Sequence, residues 1–211
     1  MILQYLSSLQ KKRIILASSS PRRKEILQKI GLNFTVVPSE FEENLDPSSF
    51  SHPSDFVIAT AREKTDEVVK RLGCSDAQPD FVIGADTCIG LEGKVYGKPK
   101  DHEDAFHMLN KFSGRSHEVL TGVCVMVQKD SSWQEITFSE TTTVKFADLS
   151  IETVNAYIDT GEPLDKAGGY GIQGLGGMLV EGIHGDYYNV MGFPLHRFCQ
   201  HLAPVLAELI P

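Results

Sequence analysis

Lys11-Lys12-Arg13 and the run Ser18-Ser19-Ser20-Pro21-Arg22-Arg23-Lys24 bring six cations and no acid together in a chain whose formal net charge is -8. Serine hydroxyls, backbone N–H groups left open at a helix start and two guanidiniums suit a polyphosphate. A solvated basic turn with a serine cap is the plainer reading of the same residues. The order of strand, serine turn and helix N-terminus favours the anion site, because it aims the helix dipole at a ligand. Ser18, Ser20, Arg22 and Arg23 are therefore candidate substrate contacts.

Acidic oxygens come from elsewhere. Asp86-Thr87 follows the apolar run Phe81-Val82-Ile83-Gly84-Ala85, at the carboxyl end of a buried strand, where open α/β sheets place their chemistry. A carboxylate there can hold a divalent cation or take a proton from water. A turn cap is the competing reading for Asp86. Glu42-Glu43, in a polar loop, offers another ligand, and hard oxygen donors suit Mg²⁺ or Mn²⁺. Lys64 in a helix and Lys98 in the turn Gly97-Lys98-Pro99 are candidate phosphate clamps, although most lysines are only solvated.

Six glycines between Gly168 and Gly177 include a formal G-x-G-x-x-G at Gly169, Gly171 and Gly174. A dinucleotide fingerprint needs a strand before it and a long helix after it, and Gly176-Gly177-Met178-Leu179-Val180 leads into an extended segment instead. A backbone wall against a nucleobase, with the Gln173 amide at the base edge, fits better; a structural loop stays open as an alternative.

Several chemistries lack their residues. The seven histidines form no H-x-x-x-H or H-E-x-x-H pattern, and there is no G-x-S-x-G elbow or P-loop. His117 and His184 read as structural. Cys74, Cys88, Cys124 and Cys199 make no C-x-x-C pair and read as reduced bystanders. The acidic balance argues against non-specific DNA binding. No apolar run reaches membrane-spanning length, and Met1-Ile2-Leu3-Gln4 lacks a secretion layout. A cytoplasmic protein acting on small molecules is expected, free of nucleic-acid and membrane partners.

The elements that must position these groups alternate. Arg13 to Ala17 reads as a strand feeding a helix capped by Ser20, with Pro21 in its first position, and ending at Gly31. Phe34 to Val37 reads as a strand, Glu40 to Ser54 as a loop, and Asp55 to about Leu72 as a helix; Gly73 to Asp80 is a polar stretch. After the Phe81 strand and a turn at Glu92-Gly93, Asp101 caps a helix to Phe112. Val119 to Val127 and Thr137 to Phe146 read as strands paired about Asp130-Ser131. Ser150 caps a helix through Thr160, Met178 to Val180 and Tyr187 to Val190 read as short strands, and Pro194 to Leu209 as an amphipathic helix. The fold class is α/β with a mixed sheet and flanking helices, with residues 1–211 taken as one domain.

Leu16-Ala17-Ser18-Ser19-Ser20-Pro21-Arg22-Arg23, Ile83-Gly84-Ala85-Asp86-Thr87, Gly97-Lys98-Pro99, Ser113-Gly114-Arg115-Ser116-His117 and Gly161-Glu162-Pro163-Leu164-Asp165-Lys166-Ala167-Gly168 together resemble the Maf family of nucleotide pyrophosphatases, over roughly Arg13 to Leu202. The resemblance implies an elongated, two-lobed fold akin to inosine triphosphate pyrophosphatases, usually dimeric, with a cleft between the lobes. It also implies hydrolysis of a nucleoside triphosphate to the monophosphate and pyrophosphate with a divalent metal. By motif, Asp86 falls at the proton acceptor, Glu42 at its partner carboxylate near the metal, and Lys64 and Lys98 at the phosphate lysines. Arg22, Thr87 and Gln173 match the branch acting on dTTP and UTP, which leaves modified pyrimidines open as substrates. Thr65 and Phe193 depart from the usual alanine and leucine. Similar domains occur fused to a methyltransferase-like region in animal proteins. A non-catalytic nucleotide sensor regulating division or growth is the competing class, and release of pyrophosphate separates the two; an NAD-dependent oxidoreductase rests on the glycine pattern alone.

Overall fold

The computed structural model describes residues 1–73, 78–130 and 132–210. Cys74, most of the polar stretch after Gly73, and Ser131 of the expected turn lie outside the described residues. The chain runs α1 (Leu6–Leu9), β1 (Ile14–Leu16), α2 (Pro21–Lys29), β2 (Thr35–Val36), α3 (Pro53–Leu72), β3 (Phe81–Leu91), β4 (Lys94–Tyr96), α4 (His102–Phe112), β5 (Ser116–Lys129), β6 (Ser132–Phe146), α5 (Ile151–Ile158), β7 (Val180–His184), α6 (Tyr187–Met191) and α7 (Leu195–Leu209). Among the described residues, seven strands form one mixed sheet in the order β2-β1-β3-β5-β6-β7, with β4 on β3. The expected α/β class is the observed one.

Capping chemistry sets several boundaries. Ser20 accepts from the Arg23 N–H with Pro21 in the first turn, Asp101 accepts from Asp104 N–H, and Ser150 from Thr153 N–H. Each satisfies a donor that the helix start leaves open. Pro53 opens α3 two residues earlier than expected, because the His52 ring accepts from the Ser54 N–H.

Three local expectations change. Asp86 and Thr87 do not end their strand: β3 continues through Cys88-Ile89-Gly90-Leu91, whose last three residues pair antiparallel with β4. The parallel register with β1 stops at Ile83, so Asp86 lies just beyond the parallel half of a longer strand. Tyr187 to Val190 is helical despite its β-prone residues, since the Asp186 carboxylate accepts from Tyr188 N–H and starts a turn there. Met178 and Leu179 close a short 3₁₀ turn, and extended backbone begins only at Val180.

Two compact units make up the chain. The first comprises Met1–Asp86, Thr121–Glu140 and Gly192–Pro211; the second comprises Thr87–Leu120 and Thr141–Met191. In the first, Ile15, Ala17, Ala61, Val68, Val82, Cys124 and Met126 form a core flanked by Trp133. In the second, aliphatic and aromatic side chains including Ile89, Leu109, Phe112, Phe146, Tyr157 and Tyr170 pack together. Cys88, Cys124 and Cys199 are buried, and burial raises the Cys124 thiol to about 12, which keeps it protonated and inert near neutral pH.

Candidate active site

In the first unit, the turn between β1 and α2 is organised around Ser18. Its hydroxyl oxygen accepts from the Ser20 N–H at 3.3 Å and from Arg23 Nη1 at 3.0 Å. Arg23 Nε donates to the Gly192 carbonyl at 2.9 Å, so the guanidinium is held on two sides before any ligand arrives. Its pKa is lowered, first by burial and then by neighbouring Arg22, while Asp86 and Glu43 oppose the shift. Arginine remains charged through such a shift. Asp86, Glu43 and Arg22 are thus the charges that act on the Arg23 guanidinium.

The acidic half depends on how closely α3 approaches the sheet. A Cβ on Gly84 of β3 would lie 2.1 Å from Thr65 Oγ1 and 3.0 Å from the Ala61 carbonyl; one on Gly122 of β5 would lie 2.3 Å from the Val57 backbone. Only glycine permits this approach. Thr65, the unusual residue after the helix lysine, is fully buried and donates back to Ala61 O at 2.7 Å, so its hydroxyl carries no unmet polar cost. The close approach lets Lys64 Nζ reach Asp86 Oδ1 at 2.7 Å. The same ammonium lies 2.8 Å from Glu43 Oε1. Asp86 is only 9% exposed, so this charge-assisted bond is shielded from solvent.

Of the acidic pair in the loop, Glu43 is the residue that meets Lys64, and both glutamates are exposed. The loop is tied to α3 upstream: Glu67 accepts from the Glu40 N–H at 2.9 Å, and Arg71 donates to Glu67 at 2.6 Å and to the Pro38 carbonyl at 2.8 Å. Hydrogen bonding with Arg71 lowers the Glu67 pKa against the pull of burial. Sequence reading missed this latch, although Glu67 and Arg71 at i,i+4 on one helix face were its signal.

A divalent cation can be tested against these donors. Among the described residues no group of three or more His, Cys, Asp or Glu side chains is placed to hold a metal, which excludes a zinc-type cage built from them. Two carboxylates, Asp86 and Glu43, already converge on one positive group, the Lys64 ammonium. This donor set fits Mg²⁺ or Mn²⁺, which take one or two carboxylates and draw their remaining oxygens from phosphate and water.

Thr87, Lys98 and Gln173 belong to the second unit. Lys98 is exposed in a turn whose Gly97 carbonyl accepts from the Gly168 N–H at 2.8 Å, so the lysine turn and the start of the glycine segment are joined. Gln173 is exposed between two 3₁₀ turns, Ala167–Gly169 and Leu175–Leu179. His117, buried against Phe112 and Phe146, bonds through Nε2 to the Tyr170 hydroxyl at 2.8 Å. Burial pushes its pKa down to about 4, in keeping with a structural role.

The fold and first-unit site define an α/β protein with a serine- and arginine-lined helix start beside a lysine-bridged pair of carboxylates. Residues 13–205 match the Maf-like protein family. The chain belongs to that family. It is 50% identical over 202 residues to a human protein named probable bifunctional dTTP/UTP pyrophosphatase/methyltransferase protein, covering 93% of this chain and 32% of the human one. It is 47% identical to the dTTP/UTP pyrophosphatase of Thermococcus onnurineus over 86% of this chain and 92% of that protein. The same identity holds for the dTTP/UTP pyrophosphatase of Clostridium perfringens, over 90% and 95%. The chain thus spans about a third of the human relative and nearly all of the archaeal and bacterial ones.

Proposed function

We propose that this chain is a nucleoside triphosphate pyrophosphatase that hydrolyses dTTP and UTP, and modified pyrimidine relatives, between the α and β phosphates. The observation that carries the reading is the meeting of Lys64 with Asp86 and Glu43, in the same unit as the Arg23 guanidinium held by Ser18 and Gly192. Cations paired with a shielded carboxylate suit in-line attack on a polyphosphate, where catalysis is mostly positioning and charge stabilisation. The names of relatives alike over most of their length support the nucleotide class.

Ser18, Ser20 and the two arginines bind phosphate oxygens, with Arg23 already oriented by Ser18 and Gly192. Lys64 fixes Asp86 by its Oδ1, so the other carboxylate oxygen orients the attacking water and takes its proton. Lys64 also stabilises charge that develops on the phosphates. Asp86 with Glu42 or Glu43 would hold the divalent cation, which when bound neutralises phosphate oxygens and acidifies water. In the second unit Thr87, Lys98 and Gln173 are nucleotide contacts, with Gln173 at the base edge; the resemblance supports those roles. Nucleotide-pool housekeeping in the cytoplasm as a homodimer, without nucleic-acid or membrane partners, completes the reading. No helix among the described residues is long and apolar enough to cross a membrane.

A panel of nucleoside triphosphates with Mg²⁺ or Mn²⁺ tests the assignment. The expected products are monophosphate and pyrophosphate, fastest from dTTP and UTP. Tight binding of UTP without turnover would instead favour a nucleotide sensor, and orthophosphate as first product would mean that a different bond is cut.

A further inference from the structure

Glu162 stands outside every role assigned above, yet the glycine segment closes around it. Its Oε1 accepts from the Tyr157 hydroxyl at 2.9 Å and from the Gly176 N–H at 3.0 Å, and its Oε2 accepts from the Leu175 N–H at 3.0 Å. The Tyr157 oxygen in turn accepts from the Gly171 N–H at 3.2 Å. Lys166 Nζ donates to the Glu162 carbonyl at 2.8 Å. Backbone groups on both sides of Gln173 thus end on one carboxylate and its phenol.

Close packing shows how little slack remains. A Cβ on Gly174 would lie 2.5 Å from Glu162 Oε2, and one on Gly176 would lie 2.6 Å from the Tyr157 hydroxyl and 2.8 Å from the Gly171 backbone. A loop this rich in glycine has much conformational entropy to lose, so it holds one shape only where specific bonds fix it. Burial acts to raise the Glu162 pKa, but the donors from Gly176, Leu175 and Tyr157, with Lys166 nearby, lower it overall. The clamp therefore uses the ionised carboxylate, the form that accepts on both oxygens.

We propose that Glu162 is the positioning residue for base selection: its carboxylate clamps the loop 171–176 and so sets how Gln173 is presented to the nucleobase. The inference rests on reading Gln173 as the base contact of a nucleotide pyrophosphatase. Glu162 touches no substrate and acts only through the loop. The Gly161-Glu162-Pro163 run supplies the carboxylate, and the glycines supply the backbone that can wrap it.

Two variants and two readouts test this. Glu162→Ala removes all three acceptor contacts. Glu162→Gln keeps one acceptor oxygen but turns an amide donor toward the Leu175 N–H. In the full chain, Glu162→Ala is expected to raise the KM for UTP about tenfold, keep kcat within about threefold, and cut the preference for UTP over GTP about tenfold. Glu162→Gln should fall between it and the parent. Hydrogen exchange at the Leu175 and Gly176 amides should be slow in the parent and faster in both variants, with exchange in α4 unchanged. A lower kcat on every nucleotide with KM and preference unmoved would show a merely structural role and overturn the proposal. So would unchanged protection of those two amides, a measurement that needs no activity. If the parent itself releases no pyrophosphate from any nucleotide, the functional reading fails, and the exchange data still decide whether Glu162 clamps the loop.

Discussion

The two units solve different problems with different materials. The first assembles charged side chains, namely Arg22, Arg23, Lys64, Asp86 and Glu43, around a helix start and two strands, β3 and β5, that Gly84 and Gly122 allow α3 to approach closely. The second presents backbone, a glycine segment with an exposed Gln173, shaped by Glu162 and Tyr157. In one, glycine brings charges together; in the other, one charge gives glycine a shape. In the proposed function the former suits chemistry on a phosphate, because developing charge needs fixed partners, and the latter suits discrimination among bases, because a planar ring is read by shape and edge.

That contrast makes the largest predicted effect fall on the first unit. Asp86→Asn should lower kcat by roughly 10³-fold, within the range a positioned proton acceptor supplies, with thermal unfolding little changed; steady-state release of pyrophosphate measures it. A fall below tenfold would remove Asp86 from the proton-accepting role.

The next effect lies in the second unit and concerns stability rather than rate. His117 is held neutral, with its folded pKa near 4 against an ordinary 6.5. The unfolded chain therefore binds a proton first as pH falls. Stability from this residue is complete above about pH 6.5 and is lost progressively toward pH 4. Urea unfolding at pH 4.5 and 7.5 should show roughly 2 kcal/mol of this loss, absent in His117→Phe. Equal pH dependence in both proteins would contradict it.

A smaller effect separates orientation from charge in the first unit. Arg23→Lys keeps the cation but loses the fork that bonds Ser18 and Gly192, and should raise the KM for UTP about tenfold with less change in kcat. At the low end, the half-exposed pair of Arg62 and Glu135, 2.8 Å apart in the first unit, serves as a control. Arg62→Ala should shift unfolding free energy by less than about 0.5 kcal/mol and leave turnover alone.

The same contrast accounts for what could be read before any coordinates. Ser20 and Pro21 announced a helix start, and Asp101 and Ser150 announced two more, because caps are local chemistry. The charged candidates of the first unit were recognisable by type. What stayed hidden depends on distant partners: Lys64 meets Glu43 rather than a residue of its own helix, Glu67 and Arg71 hold the loop, and β3 runs past Asp86 because β4 returns to pair with it. Tyr187 to Val190 misled by composition, since one capping carboxylate outweighs the β preference of its side chains. Glu162 lies in the Gly161-Glu162-Pro163 run without a legible role, because nothing in the spacing shows that backbone thirteen or fourteen residues later closes on its oxygens.

In the proposed reaction, the carboxylate that Lys64 holds directs water at the α phosphorus. Single-turnover hydrolysis of UTP in H₂¹⁸O, with products resolved by mass spectrometry, tests it most directly. Label is expected in the monophosphate, with none in pyrophosphate. Label in pyrophosphate would place attack at the β phosphorus and contradict it.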